Sequence, residues 1–376
     1  MRNLLILFLL IISNHISAMG LTQKDIDNLT QYIKSLQYRS NNKLASFGAF
    51  KISQDPGCYA KVGEKAFWKV DPYFVNLGLF GLLSTADKDR FNIVRDWLNW
   101  YLGHLEHDGT ILNHWYAADG TDEKKCIDCI SPVPCNFADS HDSYAATFLS
   151  LTYLYYKLSH DKSWFNNIIE SKLELIGDLI ISLQDTDGLT WARKDYKIKY
   201  LMDNCEVYDG LMALSRIEAE VFHRNDKTLK YENAASKVQK AISTKLYSTK
   251  TGLYITGIDS NGKDQYPGSE SWYPRSVSLM WPQMYNIEKT ATNRYKAQRD
   301  WLNNKWKGPL DWRNHRVSED GSLTPSVGYA FSNAGDKVSG FAQAKFIIQQ
   351  LTFPIIKDPH WTIGDAGWLI RNGILP

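Results

Sequence analysis

Between Ala138 and Tyr144 the chain reads Ala-Asp-Ser-His-Asp-Ser-Tyr, with two carboxylates, an imidazole and a phenol in one short stretch. Asp139 and Asp142 are three positions apart, so on a helix they share a face. Asp203, Glu206 and Asp209 repeat that spacing further along. Glu64 stands alone in Val-Gly-Glu-Lys-Ala-Phe-Trp, where Phe67 and Trp68 offer the partial burial that raises an acid's pKa. Carboxyl groups in pairs do general acid–base work: one gives a proton to a leaving oxygen while the other activates water or attacks carbon. Rings recur beside these clusters, at Trp68, Tyr73, Trp115, Tyr116, Trp191, Trp272 and Tyr273, and flat rings suit the CH-rich faces of sugars. Each residue type also has an ordinary use. Asp and Ser cap helices, acids offset the helix dipole, and Trp and Tyr fill cores. It is their accumulation at corresponding places along the chain that points to a site.

Those places are helix starts in a repeated pattern. Gly109, Gly188, Gly252 and Gly321 each read as a turn before a short apolar-aromatic strand, and a long helical segment follows each strand. Loosely repeated hairpins of this kind belong to stacked or closed helical arrays. Apolar spacing predicts eleven helical segments, at 21–36, from 72, and at 87–105, 140–158, 162–184, 204–223, 229–246, 273–286, 290–305, 337–352 and 361–372. Tyr144–Tyr156 and Val207–Ile217 are apolar nearly all round, as for helices buried on two sides, whereas Asp161–Leu183 and Asp226–Leu246 are charged on one face. Inner and outer helices of a ring differ in this way. The expectation is an all-α protein, an (α/α)6 toroid or six-hairpin barrel, with small β ribbons at the helix ends and the chemistry at one mouth.

Composition narrows the class. The chain has 376 residues, 43 basic against 41 acidic, and a formal net charge of +2. That balance gives no reason to expect nucleic acid or an anionic membrane as partner. Residues 1–18 read as a cleavable signal peptide: Arg2, an apolar run from Leu4 to Ile12, and small residues at Ser17 and Ala18. The expectation is therefore a secreted or periplasmic monomer with no membrane span after cleavage, and residues 19–376 as a single domain. Five cysteines in an exported chain favour a disulfide, with Cys126, Cys129 and Cys135 placed to staple their own loop and Cys58 and Cys205 elsewhere. Cys126 and Cys129 also form half of a zinc pattern, whose second half is missing. Asp259-Ser-Asn-Gly with Glu270 has a misplaced glycine and a lysine for a calcium loop, and reads instead as a β-hairpin turning at Asn261-Gly262. No metal or cofactor is expected.

The layout resembles the six-hairpin (α/α)6 glycosidases, above all the inverting bacterial endoglucanases found with cellulose and other exopolysaccharide systems. In that family a glutamate before the second hairpin is the general acid, and Gly63-Glu64 occupies the similar place. Phe137-Ala-Asp-Ser-His-Asp142 is similar to the family's helix start that holds sugar in the central subsite. A later Tyr-Asp supplies the family's base; the similar stretch here is Trp272-Tyr273-Pro274-Arg275, with arginine where the aspartate falls. The resemblance implies a glycoside hydrolase acting on a poly- or oligosaccharide, with Glu64 as acid and Asp142 or Asp203 as base. Trp68, Trp115, Asp139, His141, Tyr144, Tyr208, Trp272, Tyr273 and Arg275 would bind substrate. Two alternatives stay open: a polysaccharide lyase using His141 or Tyr144 with Arg193 or Arg275, and a carbohydrate-binding toroid without catalysis.

Overall fold

A computed structural model describes residues 20–56, 58–59, 66–121, 123–124, 137–267, 271–290 and 292–375, with only the backbone of 58–59 and 123–124. Among these residues the chain forms twelve α-helices in alternation. The even-numbered set is α2 (Pro72–Ser84), α4 (His141–Ser159), α6 (Leu201–Ile217), α8 (Trp281–Met284), α10 (Pro325–Asn333) and α12 (Ile363–Gly373). Each packs against the next, and α12 returns to α2, so the six close a ring. The odd-numbered set lies outside it: α1 (Gln23–Ser35), α3 (Arg90–Gly103), α5 (Asn167–Leu183), α7 (Asn225–Lys245), α9 (Asn293–Lys305) and α11 (Lys337–Gln350). This is the all-α (α/α)6 toroid. No helix among the described residues is long and apolar enough to cross a membrane.

Local chemistry sets the helix ends. Thr22 caps α1 in a reciprocal capping box with Asp25, and Thr362 does the same for α12 with Asp365. Asp71 accepts from the Phe74 amide and Pro72 follows at the first helical position, so β2 (Ala66–Val70) turns straight into α2. Small sheets cluster at this end of the ring. β1 (Cys58–Tyr59), β2, β3 (His114–Ala117) and β4 (Glu123–Lys124) form one antiparallel sheet, and β5 (Ile198–Tyr200) runs directly into α6. β6 (Tyr247–Ser248) pairs with β7 (Leu253–Tyr254), and β5 pairs with β8 (Gly257–Asp259), which pairs with β9 (Asp264–Gln265) around Gly262, the hairpin expected there. All four repeat glycines have positive φ; β7 follows Gly252 and a single bridge at Thr190 follows Gly188, while the stretches after Gly109 and Gly321 form no strand.

Close helix contacts hold the ring. At its seam, a Cβ on Gly81 of α2 would lie 2.5 Å from Gly367 Cα of α12. Between α4 and α6, a Cβ on Gly210 would lie 2.6 Å from both Cα and O of Ala146. Glycine here lets backbones touch, which brings the first turns of neighbouring inner helices together. Asn76 ties the layers, accepting from Trp97 Nε1 at 2.9 Å and donating to Thr147 Oγ1 at 3.0 Å. The segment at 273–286 departs from the predicted helix. A π turn at Trp272–Ser276, with Tyr273 non-helical inside it, precedes a four-residue α8.

Gly210→Ala should destabilise the protein by about 1–3 kcal/mol, the usual cost of overpacking. Gly103→Ala, where a Cβ meets nothing within 4 Å, should be neutral or slightly stabilising. Urea denaturation of both variants checks the contrast.

Candidate active site

The first turns of the inner helices surround a cavity of about 630 Å³. Its wall includes Lys69, Asp71 and Tyr73 from the start of α2, Asp139, Ser140 and Tyr144 from α4, and Tyr200 and Asp203 from α6. Arg193, Tyr273 and Arg275 complete the rim. A second lobe of about 310 Å³ shares Tyr73, Phe74, Met202 and Tyr273 and continues to Asp365 and Trp368 of α12. A cleft of about 690 Å³ between residues 316–321 and 350–360 is slightly larger. It adjoins the outer end of that lobe, with which it shares Asp320, Pro359 and His360, and its Arg316 and Asp358 are paired at 2.7 Å. The chemistry belongs to the mouth.

Ser140 occupies the N-cap of α4, yet its hydroxyl makes no bond to the helix backbone. It contacts Asp142 Oδ1 at 2.5 Å and Asp203 Oδ2 at 2.9 Å instead. One hydroxyl hydrogen serves only one of these oxygens. The second contact therefore needs a proton on a carboxyl group. Asp142 is fully buried in the first turn of α4 and accepts also from the Ser143 amide at 2.8 Å and from Thr190 Oγ1 at 2.7 Å. Burial pushes Asp142 up, while these hydrogen bonds and the helix N-terminus oppose the shift. Asp203 is held well above the carboxylate range by burial, and then by the charge of Asp142. With one bond of this kind against three, Asp203 is the partner that keeps the shared proton. It donates to Ser140, which donates to Asp142.

The strap that supplies Thr190 also holds the start of α4. Ala192 O accepts the His141 amide at 2.8 Å, and Arg193 donates to Ala138 O at 2.8 Å while pairing with Asp195. Asp139, exposed at the cavity wall, is raised by desolvation and then by Asp71, and lowered by Lys69 and Arg193. Lys69 is engaged with Asp71 at 2.6 Å. Arg275 has no ion pair among the described residues and faces the cavity unneutralised. Beneath Asp203, one turn along α6, Glu206 is buried. Tyr73 Oη and Trp281 Nε1 both donate to its Oε1, at 2.8 and 3.2 Å, and its Oε2 has no partner. Desolvation raises its pKa to about 8, so it rests as a neutral acid under the floor.

The structure gathers Asp139, Tyr144, Asp203, Tyr273 and Arg275 of the expected site around one cavity. It places Asp142 out of the cavity wall, in contact with the cavity-lining Asp203 only by way of Ser140. Trp272 and Trp115 are buried packing residues. Trp272 donates to Thr324 Oγ1 at 2.8 Å and lies edge-to-face on Trp306, while Trp115 sits inside β3. Trp68 is turned toward Gln54 and Lys51, His141 stands beside the cavity without lining it, and Tyr208 reaches Gln239 on α7. Glu64, with Cys126, Cys129 and Cys135, lies outside the described residues. Cys205 is a buried free thiol. Lys69, Asp71 and Ser140 do not stand out in the sequence. The cap residue at 140 is the available signal, since a serine between two aspartates has an alternative to capping.

No protein-family model matches the sequence, and no curated protein matches it. Solved structures do match by shape. A wild-type glycosidase superposes with a TM-score of 0.61 at 12% identity, over 95% of this chain and 100% of that one. A rhamnosidase from Klebsiella oxytoca with rhamnose bound gives 0.54 at 14% identity, over 94% and 64%. An inactive variant of the alpha-1,6-mannanase of Salegentibacter sp. HEL1_6, in complex with alpha-1,6-mannotetrose, gives 0.55 at 11% identity, over 93% and 97%. The likeness is one of fold.

The neutral Glu206 has a consequence for stability. Its folded value of about 8 lies above the 4.5 of an unperturbed glutamate, so the folded protein binds the extra proton between those values. Stability from this group is complete below about pH 4.5 and falls as pH rises toward 8. Glu206→Gln, measured by urea denaturation at pH 5, 7 and 8.5, should lose less stability over that range than wild type.

Proposed function

We propose that this chain is a glycoside hydrolase in which Asp203 is the general acid and Asp139 the carboxylate that activates water. One observation carries the reading: a cavity-facing carboxyl shares a proton with a buried carboxylate through Ser140, in the mouth of a toroid. A general acid must hold its proton near neutral pH, and burial beside a like charge does that for Asp203. Asp139 is also raised, by desolvation and then by Asp71, but against the pull of Lys69 and Arg193 and less far than Asp203, so it is the group better able to stay ionised. Asp142 is a positioning residue. Its charge keeps Asp203 protonated, and the helix start keeps Asp142 charged. Tyr73 stacks on Tyr144 with ring centroids 6.0 Å apart, and both rings line the cavity. Glycosidases, a rhamnosidase and mannanases among the similar folds support a glycan as the substrate class. The leader-like residues 1–18 support export, and the closed single ring is compatible with action as a monomer.

A second reading has its own observation. Arg275 offers a cation at the rim that has no ion pair among the described residues, and a lyase would need such a cation for a uronate carboxylate. Lyase products absorb in the ultraviolet through a new C=C bond, and hydrolysis products do not. Glycan binding with no product at all would instead support a binding toroid.

The test is release of reducing ends from a panel of polysaccharides by the chain from residue 19 onward. On any glycan that wild type cleaves, Asp203→Asn should cost about 10²–10⁴-fold in rate. Asp142→Asn should retain activity but move the alkaline limb of the pH–rate profile to lower pH, because the charge that raises Asp203 is gone. Near-full activity in Asp203→Asn, or an unmoved limb in Asp142→Asn, contradicts the assignment.

A further inference from the structure

At the far end of α6 from Asp203, roughly 22 Å away at 1.5 Å per residue, three glutamates converge on the outside of the ring. Glu170 and Glu174 sit one turn apart on α5 and share a face. Glu218 comes from the junction where α6 ends at Ile217 and a π turn runs from Glu218 to Phe222. One ligand oxygen from each lies within 4.8 Å of the other two. Glu218 is fully buried, and neither of its carboxylate oxygens has a hydrogen-bond partner. That is the independent observation, because a buried carboxylate without partners carries a large desolvation cost.

The surroundings only half answer that cost. Arg224 contacts Glu170 Oε1 at 3.1 Å and Lys227 contacts Glu174 Oε2 at 2.8 Å, so two cations stand against three carboxylates. Each contact uses one oxygen and leaves the other oxygen of that glutamate available. Neither cation reaches Glu218 within ion-pair distance. Among the described residues, the buried Glu218 carboxylate thus has neither a cation nor a hydrogen-bond donor of its own. A π turn inside a helical run is a feature often found at functional sites, and here it sets the position of Glu218.

We propose that Glu170, Glu174 and Glu218 form a binding site for a hard divalent cation, with calcium as the fitting ion, that ties α5 to the end of α6. An all-carboxylate donor set selects such an ion over the softer transition metals. Calcium is favoured because it accepts several carboxylates in a flexible coordination shell, whereas magnesium demands near-ideal octahedral geometry and keeps most of its water. The ion supplies the charge that Glu218 lacks, and water completes its coordination. The site is distinct from the mouth and stands whatever reaction the mouth performs.

The experiment uses the full chain, stripped with EDTA and held at pH 8 and constant ionic strength. Calcium chloride, and magnesium chloride in parallel, is titrated calorimetrically and in thermal melts. The expected result is one calcium per chain and a rise in Tm that EDTA reverses, with a smaller response to magnesium. Glu218→Gln, which removes the buried charge and should fold, is expected to weaken calcium at least tenfold. Glu174→Gln should also weaken it, while Asp203→Asn should leave it unchanged. The proposal is overturned if millimolar calcium neither binds nor shifts the wild-type Tm, if magnesium does as well as calcium, or if Glu218→Gln binds calcium like wild type.

Discussion

Asp142 and Asp203 meet because α4 and α6 approach so closely that Gly210 has no room for a Cβ against Ala146. At that separation the first turns of the two helices place two acids on either side of Ser140. Two carboxylates desolvated together cannot both stay charged at modest cost, so they hold one proton between them. Much of the mouth follows from this sharing. Thr190 and the Ser143 amide are recruited to hold the charged member, and the strap that carries Thr190 fixes the start of α4 through Ala192. Asp203 is left neutral and facing the cavity, which is the state useful to a proton donor.

The floor repeats the arrangement one turn deeper. Glu206 takes hydrogen bonds from Tyr73 and Trp281 on a single oxygen and keeps its own proton. Those donors come from the first and fourth inner helices, so the acid links elements far apart in the chain. It also fixes the Tyr73 ring, which stacks on Tyr144 at the cavity wall. The inner helices thus do two jobs with the same polar residues, binding the ring across its axis and lining the cavity. The ring itself is secured by backbone contact at glycine seams and by buried bridges such as Asn76.

Much of this is legible in the sequence, because it depends on local rules. Positive φ at Gly109, Gly188, Gly252 and Gly321, the Thr22 cap, and the alternation of doubly buried with amphipathic helices all follow from residue type and spacing. The gathering of Asp139, Tyr144, Asp203, Tyr273 and Arg275 follows from their place at helix starts. What escapes depends on packing between distant segments. α10 is hidden because Pro325–Asn333 is short, starts with proline and is buried nearly all round, so it carries no clear amphipathic period. Trp272 and Trp115 read as binding rings because a tryptophan near a site looks the same in sequence whether it faces sugar or core. Asp142 reads as a base because nothing local tells which of two acids on one helix face is sealed behind the other. With Arg275 in place of the expected aspartate, the carboxylates left at the cavity wall beside Asp203 are Asp139 and Asp71, and Asp71 is paired with Lys69.

The account rests on Asp203 touching the bond that breaks. The most direct measurement is a crystal structure of Asp203→Asn with an oligosaccharide that wild type cleaves. The account predicts sugar along the Tyr73–Tyr144 wall, the glycosidic oxygen within hydrogen-bond distance of residue 203, and a water held by Asp139 on the other side of the anomeric carbon. Sugar seated away from residue 203, for example in the cleft lined by Arg316 and His360, would contradict it.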